Sequence, residues 1–238
     1  MKRKDAGNSD TSIELHYWPT PNGWKAAIML EELGISYGLH WVDIRAGDQH
    51  DADFLRISPN NRIPAIIDHE GPDGEPISVF ESGAILLYLG RKFGRFYPSN
   101  ERERVATEEW LMWQMGGLGP MAGQAHHFRI YAPETIDYAV DRYTREVARL
   151  YGVMDRRLAD RDYLAGPYTI ADMACVGWVS AHERQGQDLR DFPNLKAWFD
   201  RVSARPAVER ALALGREIRD SSDPKDEATQ ANMFGRTA

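Results

Sequence analysis

The stretch Tyr17-Trp18-Pro19-Thr20-Pro21-Asn22-Gly23-Trp24-Lys25 decides how this chain folds. Before it, Ile13, Leu15 and Tyr17 alternate with polar residues, the period of a half-buried strand. After it, Ala26, Met29, Leu30 and Leu33 repeat with the period of a helix. A strand that feeds a helix through a tight loop of Pro, Thr, Asn and Gly builds a small-molecule site. The helix start offers unpaired N–H groups and partial positive charge, which suit an anion such as a thiolate. The loop itself holds no cysteine.

Outward from this loop, residues 13–97 keep alternating strand and helix signals. Tyr37–Asp43 alternates as a second strand, and Phe54–Ile57 reads as a short helix followed by the loop Ser58-Pro59-Asn60-Asn61-Arg62-Ile63-Pro64. Ala65–Asp68 and Ile77–Phe80 flank a Gly- and Pro-rich turn and read as a hairpin. Ile85, Leu86, Leu89 and Phe93 then share one face of a helix entered through Glu81-Ser82-Gly83. The order βαβαββα describes a small α/β domain with a mixed sheet. From about Glu101 the strand signals stop. The helical patterns that follow are interrupted at Gly116–Pro120, Ala132-Pro133 and Ala165-Gly166-Pro167. In Thr169-Ile170-Ala171-Asp172 the threonine caps a helix and the aspartate reaches back, a capping box worth about 1 kcal/mol. The expected organisation is a disordered segment over 1–11, an α/β domain over 12–97, an all-helical domain over 98–219 and a polar tail over 220–238. Met233-Phe234 is the tail's expected docking point.

The bulk properties narrow the function. The 238 residues carry a formal net charge of −7, which argues against a nucleic-acid or anionic-membrane surface. Cys175 is the single cysteine; it excludes an intramolecular disulfide and fits a reducing, cytoplasmic setting. Its apolar surroundings, Ile170 to Trp178, mark it as a buried thiol and not a nucleophile. The basic start at Lys2, Arg3 and Lys4 is not followed by the apolar run of a secretory signal, and no stretch has the length of a membrane span.

An α/β domain of this order followed by a helical domain resembles the glutathione transferases. The motifs TPNG-x-K (from Thr20), SPNN-x-IPAI-x-DH (from Ser58), FESGAILLYL (from Phe80) and WQ-x-GGLGPM-x-GQ-x-HHF (from Trp113) are similar to those of the bacterial Nu class, the disulfide-bond reductase type. The resemblance spans about residues 13–215. It implies a thioredoxin-like N-terminal domain. In thioredoxin-type redox proteins the first turn carries C-x-x-C; with no cysteine here, the reactive sulfur must arrive on a bound ligand.

The resemblance assigns glutathione to named residues. Ile63-Pro64 would be a cis pair whose isoleucine backbone meets the cysteinyl part of the tripeptide; a trans proline starting a strand is what the residues alone suggest. Glu81 would accept the γ-glutamyl ammonium, and Ser82, at a helix start, would bind the α-carboxylate. Gln49 matches a contact to the glycyl end. Arg142 matches an arginine that meets the terminal carboxylate, from its own or a partner subunit. Thr20 and Asn22 lie nearest the ligand sulfur, where a hydroxyl, an amide and the helix end favour the thiolate. Lowering a thiol pKa by two units requires roughly 2.7 kcal/mol, the scale of two hydrogen bonds plus a dipole. Capping the helix is the alternative role for both residues. Tyr17, alternating with Leu15, points to the core; Lys25, one turn in, reads as a solvated residue, with added positive charge near the sulfur as its alternative role; Trp110, Trp113 and Trp198 read as core. His126 and His127 project about 100° apart on a helix and have no third ligand at suitable spacing, so no metal is expected.

The implied activity is glutathione-dependent thiol–disulfide exchange. The cosubstrate is glutathione, two per site or as its disulfide; the substrate is a small disulfide, and the assembly a homodimer. Conjugation, peroxide reduction or ether and thioether cleavage would use the same thiolate with a different neighbouring pocket. A non-catalytic binding module would use the same fold but need not keep a complete thiol site.

Overall fold

The computed structural model of the chain describes residues 11–220 and 226–235, so the expected disorder of residues 1–11 lies, but for Thr11, outside the described residues. They divide into two compact units, one reaching to Leu89 and resuming at Arg210, the other from Gly90 to Glu209.

The first unit is built on β1 (Ile13–Tyr17), α1 (Pro21–Leu33), β2 (Gly38–Trp41), α2 (Ala52–Ile57), β3 (Ala65–Asp68) and β4 (Ile77–Phe80), followed by α3 (Ser82–Phe93). The sheet order is β2-β1-β3-β4, with β1 and β2 parallel and the other pairs antiparallel. This is the mixed sheet expected from the βαβαββα order, in the thioredoxin-like arrangement that the family resemblance implies. Ile13, Leu15 and Tyr17 are buried on one face of β1. α1 ends at Gly34, whose φ of 69° lets its N–H turn back onto Leu30 and Glu31 carbonyls. The second strand is shorter than the alternation suggests: Val42 leaves it to donate its N–H to Tyr17 O.

The second unit contains α4 (Glu101–Trp113), α5 (Gly119–His126), α6 (Asp137–Arg157), α7 (Ile170–Val179) and α8 (Pro193–Ser203); α9 (Pro206–Ala213) then runs across the division. α7 is buried along its whole length and is packed by α4, α5 and α8. Its start is the expected capping box, with Thr169 and Asp172 each accepting a backbone N–H. Trp198 is fully buried, whereas Trp110 and Trp113 are only half-buried, edge to face with one another.

Two expectations are corrected. Gly116–Pro120 does not break the helix: Gln114–Leu118 widens into a π turn and the backbone stays helical into α5. The wider turn accommodates Pro120, which has no N–H to return to the turn before it. Residues 210–218, read as the end of the helical region, pack with the first unit. Tyr17 Oη donates to Leu214 O (3.1 Å), Arg45 donates to Ile218 O (3.4 Å) and Arg210 pairs with Glu31 (2.6 Å). After α10 (Arg216–Asp220), the described part of the tail forms α11 (Glu227–Met233). It is tied to the first unit through Asn232, whose Nδ2 donates to Arg45 O (2.6 Å) and whose carbonyl accepts the Gln49 amide (2.9 Å).

Candidate active site

Thr20 caps α1 in an extended conformation, and its Oγ1 accepts the Gly23 N–H at 3.2 Å. Serving as an acceptor leaves the hydroxyl proton available to a second partner, so capping and thiolate stabilisation are compatible. Asn22 lies in the first turn, half-buried. That turn contains no acidic side chain, so nothing within it offsets the positive helix end. Gly23 is required by packing: a Cβ there would fall 2.2 Å from Trp18 O and about as close as contact allows to the Tyr17 ring, at 3.1 Å. Tyr17 is buried and directs its hydroxyl to Leu214, as its alternation with Leu15 implies.

Lys25 corrects the expectation of a solvated side chain. It is 1% exposed, and its Nζ donates to Ser82 Oγ at 3.4 Å. Five residues after Thr20, the first unit therefore places a buried lysine against the first residue of α3. Sequence reasoning missed this because lysine is rarely fully buried; the only local signal was its place inside the otherwise apolar run Trp24–Leu30. Ser82 itself is 4% exposed.

Glu81, just before α3, is exposed and holds a φ of 69°. A left-handed glutamate is unfavourable, and such outliers concentrate at functional sites. Asn60 Nδ2 donates to Glu81 Oε1 at 3.4 Å, joining the 58–64 loop to this corner. In that loop Ser58 Oγ donates to Arg62 O at 2.7 Å, Asn61 takes a φ of 48°, and the Ile63-Pro64 peptide is cis. Ile63 precedes β3 and stands outside its ladder, which begins at Ala65. The fold thus brings Asn60, Glu81, Ser82 and Lys25 together in one unit. A carboxylate lies beside an amine, a hydroxyl and the start of a helix.

Gln49 is buried, and its amide donates to Ile44 O (3.2 Å) and Asn232 O (2.9 Å). Its Oε1 is buried without a hydrogen-bond partner among the described residues. Arg142 belongs to the other unit. There it is exposed on α6 and lines a cavity of about 450 Å³ with Met121, Tyr143, Arg145, Glu146 and Arg149. Arg145 and Arg149 are held by Asp141 (2.5 Å) and Glu146 (2.7 Å). His126 lies in the same unit, its pKa pushed down to about 4 by burial and by the charge of Arg184, so it is neutral near pH 7. Cys175 is fully buried in α7, as expected.

Residues 20–92 match the model of the glutathione S-transferase N-terminal domain, and residues 118–206 that of the C-terminal domain. The disulfide-bond oxidoreductase YfcG of Escherichia coli (strain K12) is 53% identical over 214 residues, covering 88% of this chain and 100% of the relative. A glutathione transferase family member from Pseudomonas fluorescens Pf-5, solved with two glutathione bound, superposes with a TM-score of 0.82 at 42% identity, over 87% of this chain and 95% of that one. A glutathione transferase from Pseudomonas putida, with one glutathione disulfide bound per subunit, gives 0.83 at 40% identity, over 88% and 94%. The match of both halves and the 53% identity to the E. coli oxidoreductase lead to one conclusion: the chain belongs to the glutathione S-transferase family.

Proposed function

We propose that this protein is a glutathione-dependent thiol–disulfide oxidoreductase of the Nu-class type. One observation carries the reading: the turn at α1 suits a thiolate, while the chain's single thiol, Cys175, is fully buried in α7. The sulfur must therefore be the ligand's. The thiolate of one glutathione attacks a sulfur of a small disulfide and forms a mixed disulfide. The leaving thiolate takes up a proton. A second glutathione thiolate then attacks the mixed disulfide, giving glutathione disulfide and the second free thiol. The oxidoreductase name of the E. coli relative and the glutathione disulfide in the P. putida structure support this reading.

In this scheme Thr20 and Asn22 favour the thiolate, and the backbone of Ile63 beside Pro64 pairs with the cysteinyl residue. Glu81 takes the γ-glutamyl ammonium. Ser82, with Lys25 behind it, takes the α-carboxylate. Gln49 serves the glycyl end, its buried Oε1 an acceptor for the amide N–H there, and Arg142 meets a terminal carboxylate. Residues 12–97, with 210–218 packed on them, act as the glutathione-binding domain and 98–209 as the helical domain, in a homodimer. The lone, buried thiol is consistent with work in the cytoplasm, and among the described residues no helix is long and apolar enough to cross a membrane.

The test is a disulfide reductase assay beside a conjugation assay at fixed glutathione. Reductase turnover should dominate. In Thr20→Val/Asn22→Ala the bound thiol's pKa, read from thiolate absorbance, should rise with a smaller effect on affinity. Dominant conjugation would overturn the oxidoreductase reading; an unmoved titration would remove the two side chains from it.

A further inference from the structure

A second cluster, on the sheet of the first unit, is not used by this thiol chemistry. β1 presents Glu14 and His16 on the face opposite Ile13, Leu15 and Tyr17. The parallel register sets His40 of β2 directly beside His16, and the two rings stack with centroids 4.7 Å apart and planes 13° from parallel. His69, the residue after β3, approaches from the other side. Its Nε2 lies 3.0 Å from Glu14 Oε1, while His40 Nε2 lies 3.2 Å and His16 Nε2 3.9 Å from Glu14 Oε2. Phe54 of α2 packs near the His16 ring, at 6.1 Å. The side chains of His16, His40 and Glu14 are 17%, 23% and 29% exposed, sheltered yet reachable by an ion.

We propose that Glu14, His16 and His40 form a binding site for one divalent transition-metal ion of the zinc type, with His69 holding the other Glu14 oxygen in place. One ligating atom from each of the three lies within 4.8 Å of the others. Imidazoles with one carboxylate suit zinc and its neighbours; magnesium and calcium require mostly oxygen donors, and copper(I) sulfur. Tetrahedral zinc at about 2.0–2.1 Å sets its donors about 3.4 Å apart. The His40–Glu14 and His16–Glu14 separations, 3.2 and 3.9 Å, bracket that value, and the His16 ring must tilt out of its stack to share the ion. The Glu14 carboxylate neutralises part of the ion's charge. A filled site ties β2, β1 and the end of β3, three neighbours in the sheet, and so acts on stability rather than on turnover.

The full-length chain, stripped of metal with a chelator, is titrated with zinc chloride in a calorimeter and with cobalt chloride by visible absorption. The expected result is one tight equivalent of zinc, a raised thermal midpoint and the intense visible bands of four-coordinate cobalt. His16→Phe/His40→Val keeps strand-compatible side chains. It should weaken zinc binding by more than the roughly 10–100-fold that loss of an outer-shell partner costs, and remove the thermal shift, with reductase turnover unchanged. Equal zinc affinity in parent and double variant, or only the weak bands of hydrated cobalt, overturns the proposal. Where the double variant does not fold, His40→Gln decides: a cobalt spectrum like the parent's also overturns it.

Discussion

Removing the Asp172 carboxylate should cost the helical unit several kcal/mol, and the cost can be counted from its partners. Oδ1 accepts the Leu164 N–H at 3.0 Å and the Trp198 indole N–H at 2.8 Å, and Oδ2 accepts the Thr169 N–H at 3.0 Å. All four residues are buried. Each of the three donors left unmet in such a place costs about 1–3 kcal/mol, so Asp172→Ala should destabilise by about 3–9 kcal/mol. Asp172→Asn keeps one oxygen for Leu164 and Trp198 but turns an NH2 toward the Thr169 N–H. It should cost about 1–3 kcal/mol. Burial pushes the Asp172 pKa up to about 6, against the pull of the bonds from Leu164, Trp198 and Thr169. An unfolded aspartate titrates near about 3.9, so the folded chain binds the proton more tightly. The stability this contributes is full below about pH 4 and is lost as the pH rises through about 6; two units amount to about 3 kcal/mol. The deficit of Asp172→Asn relative to the parent should therefore grow as the pH is lowered from 7 to 4. Urea unfolding followed by tryptophan fluorescence, with hydrogen exchange read across α7, measures both effects. Two results would refute the reasoning: an asparagine variant as unstable as the alanine variant, or a deficit that is flat with pH.

Three further outcomes are expected. Gly23→Ala would set a Cβ 2.2 Å from the Trp18 carbonyl, backbone that cannot swing aside, and should cost about 1–3 kcal/mol or more; a thermal midpoint equal to the parent's would show that the turn is looser than the packing implies. Cys175→Ala, at a fully buried position, should keep most reductase activity, and loss of turnover with the fold and glutathione affinity intact would defeat the external-thiol mechanism. Glu81→Ala should weaken glutathione binding by about 2–3 kcal/mol, the scale of a charged hydrogen bond, and unchanged affinity by calorimetry would remove Glu81 from the γ-glutamyl end.

What the sequence alone determined is local or periodic. The alternation of Ile13, Leu15 and Tyr17 predicts β1, the Gly- and Pro-rich turn predicts the β3–β4 hairpin, and Thr169 with Asp172 predicts the start of α7. Each signal lies within a few residues of the structure it specifies, because caps, turns and strand faces are set by neighbours in the chain. The cis Ile63-Pro64 bond and the candidate roles of Glu81 and Ser82 came from family resemblance, since no short-range rule picks them out. Only tertiary structure decided the rest. Lys25 looks solvated in sequence but is buried, because Ser82, 57 positions later, supplies its partner. The tail's hold on Gln49 spans 183 positions. The cluster of Glu14, His16, His40 and His69 exists only through strand register: a slip of one residue between β1 and β2 would send His40 to the opposite face from His16. Register depends on which apolar faces are buried together, and that is settled by the packing of the whole unit rather than by any single stretch of the chain.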